Sequence, residues 1–247
     1  MTHTSAASVD VEEVAKFSAM AADWWDPAGK FAALHALNPV RLSYIKAQAC
    51  TAFSRDDKAL TPLKGLSLLD IGCGGGLLCE PMARLGAAVT GVDASAKNIK
   101  TAQSHAVTQD LAIDYRHSTA EALGEGGAQF DIILNMEVVE HVADIPHFLS
   151  ACAHLLRPNG LMVVATLNRT LKSYALAIVG AEYILRWVPR GTHDFNRFLR
   201  PTELSAMLSQ TGLEASAPKG IIYLPLADRW QLSDDCAVNY MLSARKD

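Results

Sequence analysis

The stretch LLDIGCGGGLLCEPMARLGAAVTGVDAS, residues 68–95, carries the strongest indication of the fold. A hydrophobic run containing Asp70 breaks into glycines, a helical segment follows, and a second apolar run ends at Asp93. A strand, a glycine loop and a helix in this order let a ligand lie against bare backbone at a helix N-terminus. Tight packing turns also use glycine, so the loop alone leaves a structural interpretation open.

The composition of the 247 residues is that of an ordinary globular protein. Half of the residues are hydrophobic and the net charge is −4, which favours one domain over residues 1–247 and argues against a nucleic-acid partner. The five cysteines include no Cys-x-x-Cys pair, so a reducing compartment is expected. The acidic N-terminal stretch lacks an apolar signal core and predicts a disordered leader on a bacterial cytoplasmic protein. No segment has the length and apolarity of a membrane span.

Strand and helix patterns alternate through the middle of the chain. Strands are predicted near 66–71, 88–93, 112–116, 130–134 and 160–166. Helices are predicted near 76–85, 95–108, 118–123 and 144–156. Parallel strands need crossover helices, so this order predicts an α/β protein with a parallel sheet covered on both faces.

Both ends of the chain depart from this alternation. Residues 1–60 predict a helical cap, with one helix stopping at Pro27 and another starting at Asn38 as N-cap with Pro39 at its first position. Residues 200–247 predict a helix near 201–210 and then two extended stretches, which suit an antiparallel pair at one end of the sheet.

The glycine loop and the two aspartates indicate what kind of ligand binds. The pattern Gly72-x-Gly74-x-x-Leu77 lacks the third glycine of the dinucleotide fingerprint, so the ligand need not carry a pyrophosphate. Asp93 follows the next strand, where its carboxylate can accept both hydroxyls of a ribose. A helix N-cap or a turn is the alternative role for Asp70 and for Asp93.

At LLDIGCGGG and VTGVDAS the sequence resembles the class I S-adenosylmethionine-dependent methyltransferases. The resemblance implies a Rossmann-like α/β fold: a seven-stranded, mostly parallel sheet with an antiparallel C-terminal strand and helices on both faces. It also implies that residues 66–166 form the core that binds S-adenosylmethionine. Gly72 would lie against the cofactor and Asp93 would hold its ribose, with Asp70 and Gly74 as further contacts.

Three further segments resemble the ubiquinone-biosynthesis O-methyltransferases: FSAMAADWWDPAGKFAALHALNPVRLSYI (17–45), NMEVVEHVAD (135–144) and PRGTHDFNRFLRPTEL (189–204). This family methylates hydroxyl groups of 2-polyprenyl-6-hydroxyphenol and 3-demethylubiquinol. The resemblance implies that Arg41 and Met136 contact the cofactor, and that other ubiquinone-biosynthesis proteins are partners. A guanidinium suits the methionyl carboxylate, although Arg41 as an exposed helix charge and Met136 as a core residue are the alternatives.

The segment after the fourth strand carries candidate metal ligands and catalytic residues. If residues 136–142 are helical, Glu137, Glu140 and His141 share one face, and the resemblance implies that they bind Mg²⁺ or another divalent cation. Helix capping or solvated pairing is the alternative. A phenol has a pKa of about 10, so its proton must be removed, either by metal coordination or by a base. Candidate catalytic residues are His141, Glu137 and His193, with a surface or structural role as the alternative for His193.

An insertion at 168–195 follows the fifth strand. Apolar side chains recur there at helical spacing: Leu171, Tyr174, Ile178, Ala181, Leu185 and Val188. Basic side chains flank them: Arg169, Lys172, Arg186 and Arg190. The pattern predicts an amphipathic lid over 168–190 that docks on an anionic membrane surface, which places the protein peripherally on a bacterial inner membrane. Packing of the same stripe on the rest of the protein is the alternative.

Three other functions compete with methylation of a polyprenylated phenol. A methyltransferase for a soluble phenol would show no dependence on tail length. A cofactor-binding scaffold without catalysis is less favoured, because nothing would require it to keep Gly72, Asp93 and the cluster at 137–141. The missing third glycine disfavours a nicotinamide oxidoreductase.

Overall fold

The structure is a computed structural model and describes residues 8–176, 194–224, 227 and 229–247. The strands within these ranges are β1 (Ser67–Ile71), β2 (Ala88–Asp93), β3 (Asp114–His117), β4 (Phe130–Met136), β5 (Leu156–Leu167), β6 (Leu213–Ala215), β7 (Gly220–Leu224), β8 (Arg229–Ser233) and β9 (Asn239–Lys246). The helices are α1 (Val11–Ser18), α2 (Ala32–Ala52), α3 (Cys79–Arg84), α4 (Ala96–Thr108), α5 (Ala120–Glu125), α6 (Ile145–Leu155), α7 (Leu171–Ser173) and α8 (Pro201–Gln210).

Seven strands form one sheet in the order β3-β2-β1-β4-β5-β9-β6. The first five are parallel to their neighbours, and β9 runs antiparallel to both β5 and β6. This confirms the predicted fold class, a mostly parallel sheet with an antiparallel C-terminal strand. The strand order reverses direction at β1 and β4, and in such sheets ligands bind beyond the carboxyl ends of the strands at that point.

Hydrophobic side chains cover both faces of the sheet. On one face Leu68 and Ile132 pack in a cluster that includes side chains of α2, α3 and α4. On the other face Leu69 and Ile133 pack with side chains of α5, α6 and α8. Successive strand residues point to opposite faces, so strands buried on both sides read as continuous apolar runs. The central strands therefore match the expected positions closely.

The N-terminal helices differ from the prediction. Asp10 caps α1 by accepting from the backbone N–H of Glu12 and Glu13, and the helix ends at Ser18 rather than at Pro27. Helix α2 starts at Ala32, so Asn38 is no N-cap and Pro39 lies inside the helix. A proline there removes one helix hydrogen bond. The helix continues because Leu37 and Val40, on either side of Pro39, pack against the core.

The C-terminal region contains more strands than predicted. The expected antiparallel pair is β6 with β9, but a second antiparallel pair, β7 with β8, forms a separate two-stranded sheet. Residues 177–193 lie outside the described ranges, and with them most of the predicted lid and His193. Among the helices of the described ranges, none is both long enough and apolar enough to cross a bilayer.

Candidate cofactor and acceptor site

A cavity of about 750 Å³ lies at the carboxyl ends of β1, β2 and β4, and α1 and α2 contribute to its lining. The predicted site residues that line it are Arg41, Asp70, Gly72, Asp93, Met136, Glu137 and His141. Gly74 and Glu140 do not line it. The fold thus brings residues from four separate segments of the chain to one cavity, of the size typical of small-molecule sites.

The glycine loop is shaped both by its own backbone and by a tryptophan. Gly72 has φ +67°, and a Cβ there would lie 2.6 Å from Cγ2 of Val138. A Cβ on Gly74 or Gly75 would meet Trp24, at 2.3 Å and 2.4 Å respectively. Gly74 therefore makes room for Trp24, and its backbone N–H donates to Asp93 Oδ2 at 2.9 Å. Glycine is needed here for close approach as well as for conformation.

The tryptophan pair of the N-terminal segment closes over this loop. Trp24 is buried, stacks on Phe31 with ring centroids 3.8 Å apart, and donates from Nε1 to Asn98 Oδ1 at 3.0 Å. Trp25 Nε1 donates to the carbonyl of Gly75 at 2.9 Å. In the sequence this Trp-Trp pair contributes only to the family resemblance, and no covering contact is predicted for it. Two adjacent large aromatics beside polar residues were the available signal of a covering contact.

Asp93 ends β2 and is held by three donors from the chain itself. Its Oδ2 accepts from Gly74 N, while Oδ1 accepts from Ser95 N at 2.7 Å and from Asn98 Nδ2 at 3.2 Å. A carboxylate has about four acceptor positions, so roughly one remains without displacing a chain donor. Burial raises the pKa of Asp93, and these hydrogen bonds counter that rise. The chain holds the carboxylate in place and leaves about one acceptor position for a ligand.

Asp70 lies at the end of β1, buried below the glycine loop. Burial raises the pKa of Asp70 to about 7, and the one hydrogen bond that opposes the rise comes from Cys79 Sγ at 3.1 Å. A carboxyl in this position titrates near neutral pH. It is neither an N-cap nor a turn former, the two alternatives that its sequence position allowed.

Residues 136–142 are not a helix, so the condition under which Glu137, Glu140 and His141 would share one face is not met. Strand β4 runs through Met136, and Glu137 has the left-handed φ of +57°. Its N–H donates to the carbonyl of Ala165 at 3.0 Å, so pairing with β5 continues past the strand end. Only a short 3₁₀ turn, Val139–His141, follows. The change of direction at Glu137 removes the shared helical face.

Two of the three predicted metal ligands pair with side chains outside the predicted set. Glu137 Oε1 accepts from the buried Arg41 at 2.7 Å, and His141 Nδ1 lies 2.7 Å from Glu13 Oε2. Glu140 is buried, its carboxylate oxygens have no hydrogen-bond partner within the described chain, and burial and then the charge of Glu137 raise its pKa well above the ordinary value. Within the described ranges no group of three or more His, Cys, Asp or Glu side chains could hold a metal ion. The residues present do not fit the predicted site.

Helix α1 supplies a residue that sequence reasoning missed. Glu13 lines the cavity, and the hydrogen bond from His141 is the main cause that holds the pKa of Glu13 below its ordinary value. Phe17, one turn further along α1, makes an edge contact with the His141 ring at 5.1 Å. Next to them Arg197 donates to Asp10 at 2.7 Å. The partners are 128 and 187 positions apart, so no local pattern in the sequence could indicate these pairs.

Comparison with known proteins identifies the family. Residues 43–217 match the family model of a methyltransferase domain. The chain is 57% identical over 246 residues to the ubiquinone biosynthesis O-methyltransferase of Sinorhizobium fredii (strain NBRC 101917 / NGR234), covering all of this chain and 99% of that one. It is 61% identical to the Caulobacter sp. (strain K31) protein of the same name, over 97% and 96% of the two chains. The chain belongs to the ubiquinone biosynthesis O-methyltransferase family.

Solved structures agree with the fold at much lower identity. Magnesium protoporphyrin IX methyltransferase from Synechocystis PCC 6803 with bound SAH superposes with a TM-score of 0.62 at 18% identity, covering 94% of this chain and 95% of that one. A [4+2]-cyclase superposes at 0.55 with 17% identity, covering 81% of each chain. The same fold thus hosts a methyltransferase and a cyclase, so the reaction has to be argued from the site.

Proposed function

We propose that this chain transfers a methyl group from S-adenosylmethionine to a phenolic hydroxyl of a polyprenylated phenol in ubiquinone biosynthesis. The acceptors are 2-polyprenyl-6-hydroxyphenol and 3-demethylubiquinol. One observation carries the proposal: a single cavity joins Asp93, whose carboxylate is held by three chain donors, to His141, whose ring is held by Glu13. Full-length similarity to proteins of that name supports the acceptor class.

The polar end of the cavity fits the nucleoside and amino-acid parts of S-adenosylmethionine. Asp93 would accept a ribose hydroxyl at its remaining acceptor position, and the bare backbone at Gly72 would lie against the cofactor. The buried Arg41 would bind the methionyl carboxylate, for which it would exchange or share its pairing with Glu137. Met136 and Asp70 line the same end, and Gly74 acts on the cofactor through Asp93.

His141 would remove the phenolic proton. Glu13 accepts from His141 Nδ1, which fixes the ring, and Nε2 is the nitrogen that would accept the proton. When bound, S-adenosylmethionine supplies the methyl group on its sulfonium: the phenolic oxygen forms a bond to that carbon as the carbon–sulfur bond breaks. The chain contributes alignment of acceptor and donor, and a carboxylate that stabilises the protonated imidazole.

A divalent cation remains a prediction from family resemblance alone. Glu137, Glu140 and His141 do not converge in this arrangement, so no step of the reaction as proposed passes through a metal. Activity of the purified protein with and without a chelator tests the prediction. Activity lost with the chelator and restored by Mg²⁺ would show that these side chains rearrange around an ion.

Membrane attachment also belongs to the proposal. The described start of the predicted lid exposes apolar side chains, with Leu171 86%, Tyr174 46% and Leu176 52% accessible, beside the cation of Lys172. Such a surface suits the headgroup layer of an anionic membrane and a bacterial inner-membrane location. Co-sedimentation with liposomes of anionic lipid should decrease for Leu171→Glu with Leu176→Glu. Equal binding by the variant and by the unchanged protein would contradict the attachment. Other ubiquinone-biosynthesis proteins stay predicted partners.

The experiment for the activity itself is methyl transfer from labelled S-adenosylmethionine to a short-tailed 2-polyprenyl-6-hydroxyphenol. The unchanged protein should form product, and His141→Asn should lower kcat by about a hundredfold or more while still binding the cofactor. Full activity of His141→Asn would remove the histidine from the reaction. Cofactor binding without product from any phenol would favour the scaffold. Equal kcat/KM for acceptors with and without a prenyl tail would favour the alternative function, methylation of a soluble phenol.

A further inference from the structure

The cavity has an apolar wall that the cofactor contacts above do not use. One side of this wall comes from α2, where Leu34 and Leu37 line the cavity. The other side comes from the β7–β8 hairpin, through Tyr223 and Trp230. The polar groups assigned to S-adenosylmethionine instead sit at the carboxyl ends of β1, β2 and β4.

The hairpin contributes to this wall in a defined register. Ile221 and Tyr223 are two residues apart on β7, so they share a face, and Trp230 lies directly opposite Tyr223 on β8. Ile221 is buried in the core cluster. The Tyr223 and Trp230 rings, with centroids 5.2 Å apart, line the cavity, and Trp230 also packs against the core cluster. The hairpin therefore joins the core to the cavity wall.

The far end of the wall is open. Leu176 lines the cavity while 52% of its surface stays accessible. Lys172, in α7, pairs with Asp235 just after β8 at 2.5 Å, and both side chains also line the cavity. An occupant of the wall can thus reach solvent or a membrane surface beside the exposed apolar start of the lid.

We infer that this wall is the subsite for the first isoprene units of the acceptor's tail, with Tyr223, Trp230 and Leu37 as its specificity-determining contacts. The inference rests on the proposed function and deepens it. Three observations select a prenyl chain: the wall is apolar and aromatic, it is continuous with the cavity that holds His141, and it opens at an apolar edge. A branched hydrocarbon fills such a wall without leaving a polar group unpaired.

The test is a tail-length series on the full chain with saturating S-adenosylmethionine. The acceptors are catechol and the 3-prenyl, 3-geranyl and 3-farnesyl catechols. For the unchanged protein kcat/KM should rise about tenfold with the first isoprene unit. Trp230→Ala should reduce that rise to less than about threefold, while kcat/KM for catechol and the KM for S-adenosylmethionine change little.

Two further variants separate a tail subsite from a structural role. Leu232→Ala changes the same hairpin at a 38% accessible side chain that does not line the cavity, and should keep the full tail dependence. If Trp230→Ala does not fold, Leu37→Asn removes apolar surface from the opposite side of the wall and should flatten the series in the same way. A hairpin residue that serves only stability would lower the melting temperature and leave the tail dependence intact.

Each other outcome overturns the inference in a recognisable way. Tail dependence that is equal in Trp230→Ala and the unchanged protein overturns the subsite and leaves the proposed function standing. Equal tail dependence combined with loss of liposome binding assigns the wall to a lipid acyl chain instead. Cofactor binding without methylation of any catechol overturns the proposed function, and the inference falls with it.

Discussion

The two ends of the cavity are built in opposite ways. At the cofactor end, Asp70, Gly72 and Asp93 all come from residues 68–95, and the bond from Gly74 to Asp93 joins positions 19 apart. At the acceptor end the pair Glu13–His141 joins positions 128 apart. One end is fixed by strand ends and a loop, the other by side chains that meet only in the folded chain. Substitutions at the cofactor end should therefore change stability and cofactor affinity, and substitutions at the acceptor end should change turnover.

Asp70→Asn should give the largest effect, on stability. The folded pKa of about 7 lies above the ordinary 3.8, so the folded state binds more protons in this range. Stability of the unchanged protein is therefore lost as pH rises from about 4 to 7. The neutral amide of Asp70→Asn does not have this pH dependence, so the free energy of unfolding of the variant at pH 8 should exceed that of the unchanged protein by up to about 4 kcal/mol. Urea unfolding at pH 5 and pH 8 without cofactor measures the difference.

Asp131→Asn is the matched control with the opposite sign. Burial alone would raise the pKa of Asp131, but hydrogen bonds from Ser67 and Arg157 hold it below the ordinary value. Its contribution to stability is present above the ordinary carboxyl pKa and lost as pH falls. Asp131→Asn should therefore destabilise more at pH 8 than at pH 4. The same pH dependence in both variants would contradict the assignment for Asp70.

Asp93→Ala should give the second largest effect, an affinity for S-adenosylmethionine that is about a hundredfold weaker. The substitution removes the carboxylate that accepts from three chain donors and, as proposed, from a ribose hydroxyl. Isothermal titration measures the affinity, and a thermal melt shows whether the variant is folded. Asp114→Ala, an exposed strand aspartate paired with Arg116, serves as the control and should bind normally. If the dissociation constant of Asp93→Ala is within about threefold of that of the unchanged protein, Asp93 does not contribute to cofactor affinity as proposed.

Gly75→Ala tests the junction between the two ends. A Cβ there would lie 2.4 Å from the Trp24 Cβ. Gly75 is buried and has no positive φ, so the substitution introduces a steric clash without backbone strain. Overpacking should cost about 2 kcal/mol in the free energy of unfolding. Gly124→Ala in α5 meets nothing within 4 Å and should be neutral or gain up to about 1 kcal/mol. Equal stability of the two variants would mean that Trp24 does not close the loop in solution.

Glu13→Gln should give the smallest effect, a fall in kcat of about tenfold with unchanged cofactor affinity. The amide can still bond to His141 but carries no charge to stabilise the protonated ring. Glu12→Gln, an exposed neighbour on α1, is the control and should have normal turnover. Weakened cofactor binding by Glu13→Gln would show that the two ends of the cavity are energetically coupled.

The difference between the two ends also explains how far the sequence alone could reach. Strands such as Ala88–Asp93, helices such as Ala96–Thr108, and the aspartates at strand ends follow from local periodicity and turn residues, and these predictions are confirmed. The metal-ligand prediction assumed a helix at 136–142, and that condition is not met because strand pairing with β5 extends to Glu137, a non-local contact. Glu13 and the covering role of Trp24 were missed for the same reason. The β7–β8 hairpin was missed although it pairs residues that are close in sequence, from Leu224 with Arg229 to Gly220 with Ser233. The predicted cofactor contacts stay predictions.

The side chain of Trp24 fills the space that a side chain at position 75 would need. A larger residue at position 75 is acceptable only if position 24 becomes smaller, and a smaller residue at 24 leaves a void over the loop. Selection therefore acts on the two positions together. In an alignment of relatives they should vary jointly or not at all, although the residues lie in separate segments. The glycine at position 75 is therefore required by the packing of the Trp24 side chain, in addition to any role in cofactor binding.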